Sequence, residues 1–141
     1  MKIPRRTLEA LPLSICLATS GYIHAQLYVR SYHFIPTIGP SFHWDAAASM
    51  AVAVLLLIRN AGVLRILAAG LCLSGLGGFT LSRTVGLFGF TERGWQPSPQ
   101  APLSVVAWVA ALVLLLVPAI RQFRQFRQHQ TARQQVAVGH E

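Results

Sequence analysis

Four apolar stretches, 10–29, 42–58, 66–81 and 103–120, set the terms on which this chain can fold. Each is close to the ~20 residues that a helix rising ~1.5 Å per residue needs to cross a hydrocarbon core of ~30 Å. A segment in lipid must satisfy its own backbone hydrogen bonds, so helices are the expected form. The reading is an all-α membrane protein, a four-transmembrane-helix bundle in one domain over 1–120 followed by a basic tail over 121–141. The second and third stretches are short. Spanning with them calls for Arg59 and Arg65 to snorkel to the headgroups and for the bilayer to thin locally. A buried soluble helix hairpin is the competing form for such short runs.

Composition decides between the two. Of 141 residues, 53% are hydrophobic and 11% charged, whereas an ordinary soluble domain is roughly 25% charged. The four acidic residues, Glu9, Asp45, Glu92 and Glu141, are too few to solvate a globular exterior, and a lipid-facing exterior needs no such solvation. The net charge of +8 does not argue for nucleic acid, because the basic residues flank apolar segments and accompany no nucleic-acid motif. Cys16 and Cys72 fall inside apolar segments, as free cysteines behaving like small hydrophobes do.

Cytoplasmic flanks are enriched in Lys and Arg, and the distribution here is lopsided. Lys2, Arg5, Arg6, Arg59, Arg65, Arg121, Arg124, Arg127 and Arg133 lie on one side; Arg30, Arg83 and Arg93 lie on the other. Both termini are therefore expected in the cytoplasm. The N-terminus has some features of a secretory signal, with a basic start, an apolar run at 11–21 and a possible cut after Ala25. Glu9 interrupts the early region, and bulky Ile23 stands where a small residue is preferred. The repeat from Arg121 through Phe123, Arg124, Phe126 and Arg127 continues the fourth helix. Its arginines are expected at lipid headgroups, as a positive-inside anchor or lying on anionic lipid. From Gln134 onward little in the sequence argues for order.

The residues capable of chemistry gather toward the extracytoplasmic side. His24 and Tyr28, four apart, share a face of the first helix; His33 lies in the first outer loop; His43 and Asp45 open the second span; Arg83 closes the third. His24 lies ~9 Å inside its helix end by helical rise, where an unpaired polar group is costly, so it should face the bundle interior. A hydrogen bond to Asp45, to a backbone carbonyl or to water would explain it. The alternative is a transition-metal site from His24, His33, His43 and Asp45, or haem held by His24 and His43. No compact spacing supports either. An ion pair between Asp45 and Arg83 would register two helices.

Gly70, Ser74 and Gly78 form a small-residue stripe on the third span, expected to be an intramolecular packing face before a dimer interface. The second outer loop, 84–102, carries Gly86, Gly89, Gly94, Pro97, Pro99 and Pro102, which forbid a continuous helix. Its Leu87, Phe88, Phe90 and Trp95 make it apolar enough to fold onto the bundle or the interface, as an anchor or as a lid over the polar cluster.

The run Leu81, Ser82, Arg83, Thr84, Val85, Gly86, Leu87 resembles a motif of small, functionally uncharacterised polytopic membrane proteins of actinobacteria. Their first helix also carries a His near its outer end, where His24 stands. The resemblance covers roughly residues 20 to 110 and implies a multi-pass protein of a bacterial plasma membrane, with no assigned reaction. Acidic residues that often follow the Gly-rich loop in those proteins are replaced here by Gln96, Pro97, Ser98, Pro99 and Gln100. No nucleophile-base set, phosphate loop, paired carboxylates or metalloprotease helix motif is present. The leading expectation is a non-enzymatic accessory or assembly component of a larger membrane complex, with a membrane-protein partner or a second copy. A metal- or haem-binding protein and a small-solute transporter are the alternatives.

Overall fold

The computed structural model describes residues 5–138, which form four long helices and no strand. Helix α1 is Arg5–Arg30, α2 Ile38–Ile58, α3 Gly62–Thr84 and α4 Gln100–Val138. A short 3-10 turn, Tyr32–Phe34, lies between α1 and α2. Three helical segments are long and apolar enough to cross a membrane: α2, α3 and Gln100–Val117 of α4. The expected first span, α1, does not reach the same apolarity, because Ser14, Ser20, His24 and Gln26 dilute it. Its position explains the difference. It packs chiefly against α2 and next against α4, and Ser14, Ser20 and His24 are all buried, shielded by protein.

Helices α2 and α3 are longer than their apolar runs. At 21 and 23 residues they are ~31 and ~34 Å long, enough to span without local thinning. The short-span expectation is thus corrected: helix extends into the small and polar flanks of each run. Pro40 sits in the first turn of α2, where a missing N–H leaves no helical bond unmade. Gly39 is held against the 3-10 turn so closely that a Cβ there would lie 2.7 Å from the Tyr32 carbonyl oxygen. The turn between α2 and α3 shrinks to 59–61, and α4 continues unbroken past Gln134 to Val138. Its 39 residues are ~58 Å long, nearly twice a hydrocarbon core. The side chains of Arg121 and Arg124 lie outside what the structure describes; Arg127 is exposed.

The main core joins all four helices. Ala10, Leu13 and Leu17 recur at helical spacing on α1 and meet Val52, Ala53 and Leu56 of α2, Ala68 and Cys72 of α3, and Trp108 and Ala111 of α4. Cys72 is fully buried, Cys16 packs at the rim, and both are free thiols. A second core sits at the other end, where Ile23, Leu27, Tyr32 and Ile38 receive Leu87 and Phe90 of the 85–99 loop.

The expected packing stripe on α3 is not the contact face. A Cβ on Gly70 would meet no atom within 4 Å, Ser74 is exposed, and Gly78 only approaches Leu87. The close approach comes one residue round the helix from Ser74. A Cβ on Gly75 would lie 2.5 Å from the Trp108 ring, so glycine there is what lets α4 insert its indole. Gly21 plays the matching part between α1 and α2, where a Cβ would lie 3.1 Å from the Ala46 carbonyl oxygen.

Candidate functional site: a roofed cavity with a polar floor

The 85–99 loop turns back on itself because Gly86 and Gly89 adopt φ of 86° and 80°, a region that side chains with a Cβ avoid. Leu87 and Phe90 then exchange N–H···O bonds of 2.8 Å each. Arg83, at the end of α3, fixes this loop. Its Nε donates to the Gly94 carbonyl at 2.8 Å, its Nη1 to the Ser82 hydroxyl at 2.9 Å, and its Nη2 to Glu92 Oε2 at 2.8 Å and to the Gln96 carbonyl. The guanidinium also lies 3.7 Å from the centre of the Phe79 ring. Glu92 is held from two more directions, by the Tyr32 hydroxyl donating to Oε1 and by its own N–H bonded to the Ser82 carbonyl. Burial, then the hydrogen bond and charge of Glu92, push the Tyr32 phenol above its ordinary range, so it stays a donor.

Beneath this roof lies a cavity of about 520 Å³ between α3 and the other helices. Its walls are mostly apolar, with Leu27, Ile38, Phe42, Phe79, Leu87 and Phe90 prominent. Its floor is polar. His24 Nδ1 is 2.9 Å from the Ser20 carbonyl oxygen; that oxygen can only accept, so Nδ1 carries the proton. The Trp108 Nε1–H donates to the Ser20 hydroxyl at 2.9 Å. Asp45 Oδ2 lies 3.4 Å from the same His24 Nδ1, yet it is a buried oxygen with no hydrogen-bond partner. The two facts agree once the single Nδ1 proton is assigned to Ser20. Below the floor, Leu17, Val52, Leu56 and Ala68 close the bundle with apolar packing.

The six residues singled out in the sequence fall into three groups. His24 and Asp45 do meet inside the bundle, as one reading of His24 required. Tyr28, His33 and His43 form a second set: His33 Nδ1 bonds the Tyr28 carbonyl oxygen at 3.0 Å, and the Tyr28 ring lies 5.2 Å from that of His43. Both of these histidines are exposed. Arg83 belongs to the roof, bonded to Glu92, and the expected Asp45–Arg83 pair is replaced by Arg83–Glu92 and His24–Asp45. Among the described residues no three His, Cys, Asp or Glu side chains assemble as a metal site. The metal set of His24, His33, His43 and Asp45 is therefore split between the interior and the surface. A haem bridging His24 and His43 meets the same division.

Sequence reasoning missed Ser20, Trp108, Glu92 and Tyr32. One signal was available, since Ser20 and His24 are one helical turn apart. Nothing local announced that Glu92 would fold back onto α3, or that Trp108 would reach across to α1. No protein family, curated protein or solved structure matches this chain.

Proposed function

We propose that this chain is a four-span protein of a bacterial plasma membrane, with both termini in the cytoplasm, that binds a small and mostly apolar molecule. The cavity of about 520 Å³ carries this reading. Ligand sites are concave, mostly apolar and supplied with a few converging polar groups, and this one has polar residues at its floor and an Arg-braced loop as its roof. Its volume is in the range of small-molecule pockets. Treating α1 as the fourth span is supported by its 26 residues and by the burial of its polar side chains against α2 and α4. The orientation rests on the arginine distribution and places the cavity in the outer half of the bundle.

The test is native mass spectrometry of protein released from a neutral detergent, compared with Gly78→Leu. Gly78 lines the cavity, and a Cβ there meets only Leu87 at 3.8 Å, so the larger side chain projects into open volume. A bound small molecule on the native chain, lost in the variant, is the expected result. Retention of the same adduct by the variant would place it elsewhere.

A second reading, an accessory component of a larger membrane assembly, is favoured by the outward side of α3. There a Cβ on Gly70 would meet no atom within 4 Å, and Ile66 and Leu73, on the same face, are exposed, leaving room for a helix of a partner or second copy to approach. Extraction in mild detergent and gentle affinity capture bears on it directly. Recovery of the protein alone and monomeric would remove this second reading.

A further inference from the structure

We propose that the cavity selects a lipophilic organic cation, a protonated amine on a compact hydrocarbon body, with its N–H directed at Asp45. The inference rests on the cavity reading above and adds the charge and chemical class of the ligand. Its first support is the floor. Ser49 hydrogen-bonds the Asp45 carboxyl, yet Oδ2 is buried without a hydrogen-bond donor, and His24 Nδ1–H, 3.4 Å from it, is already given to the Ser20 carbonyl. A carboxylate oxygen in that state, inside an apolar bundle, is costly unless something supplies both a proton donor and a positive charge. An ammonium group supplies both. A neutral hydroxyl supplies only the first.

The charges around the cavity point the same way. In a chain with twelve basic and four acidic residues, the cavity is lined by Asp45, Glu92 and Arg83. Arg83 and Glu92 neutralise one another at 2.8 Å, which leaves Asp45 as the acidic group of the cavity faced by a His24 ring at 3.4 Å and not by an arginine. Phe42 and Trp108 stand beside His24, their rings 4.9 and 5.6 Å from its own, and both line the cavity together with Asp45. Phe42 and Asp45 are three apart on α2 and share a face. Aromatic faces attract cations, more strongly when water is excluded. An inorganic cation is poorly served here, because calcium or magnesium takes six or more oxygen ligands, and among the described residues no three His, Cys, Asp or Glu side chains converge. The cavity volume and its hydrocarbon walls suit an organic one.

The test uses the full-length chain in an uncharged detergent near neutral pH and three probes of nearly one shape. Adamantylamine is protonated, adamantanol is an uncharged donor, and methyladamantane is neither. Affinities come from calorimetric titration and ligand-induced shifts of the melting temperature. The amine is expected to bind at least about tenfold more tightly than the alcohol, with the hydrocarbon weakest. Asp45→Asn is expected to abolish that preference while still binding the alcohol. Equal binding of amine and alcohol by the native chain overturns the cation inference and leaves the cavity reading standing. Binding of none of the three overturns both. The native-chain comparison stands by itself if Asp45→Asn fails to fold, and Asp45→Glu, which keeps the charge, is then expected to retain the amine preference.

Discussion

Two glycines one and a half turns apart on α3 illustrate how unlike two chemically identical residues can be. Gly75 has the Trp108 ring where its Cβ would be, while Gly70 has open space. Gly75→Ala must displace the indole and break its bond to Ser20; overpacking of this kind costs about 1–3 kcal/mol. Gly70→Ala gains helix propensity and is expected to stabilise by up to about 1 kcal/mol. Paired melting curves in the same detergent read both signs. Tyr32 offers a residue-scale pH test. Its phenol titrates above the model-compound value of 10.0, so folding favours the protonated form. Its contribution is complete below pH ~10 and is lost as pH rises through the folded-state value. A difference titration at a phenolate absorption wavelength against Tyr32→Phe is expected to show this group ionising only well above pH ~10.

The 85–99 loop is a built element, since Arg83 satisfies acceptors in it from several directions at once. A planar fork with five donors can do this; an ammonium cannot. Arg83→Lys keeps the charge and is expected to free the loop, read as faster hydrogen exchange over 85–99 with α1 and α2 unchanged. Helix α4 poses the opposite case. Its contacts with the main core run from Val105 through Leu115, while the helix continues to Val138. Removal of residues 128–141 is therefore expected to leave the melting temperature within about 1–2 °C of the native chain, since it deletes none of those contacts.

For the molecule as a whole, the arginine bias and the proposed outer position of the loop make one joint expectation about topology. With Cys16 and Cys72 replaced, single cysteines at Ser98 and at Gln134 should differ in intact cells. A membrane-impermeant maleimide is expected to label Ser98→Cys and to spare Gln134→Cys until the cells are opened. The reverse pattern would invert the protein and move the cavity to the cytoplasmic half.

Much of this architecture was legible in the sequence because its causes are local. Apolar runs of membrane length dictate helices; the glycines and prolines between 84 and 102 rule out a continuous connection; the polarity of His24 requires an interior partner. Helix ends were read too short, since Ile38 to Ser41 and Gly62 to Arg65 are helical, although neither Thr37 nor Ala61 supplies a side-chain cap and hydropathy does not register these residues. The choice of partners was decided only in the folded structure. Which carboxylate Arg83 binds depends on how the 85–99 loop closes over α3, and Glu92 outcompetes Asp45 because the loop brings it within 2.8 Å. Gly75, and not the evenly spaced Gly70, Ser74 and Gly78, became the contact because it faces the helix that carries Trp108. The cavity follows from the same long-range choices. Spacing along one helix fixes which residues share a face, and only packing among four helices fixes what that face meets.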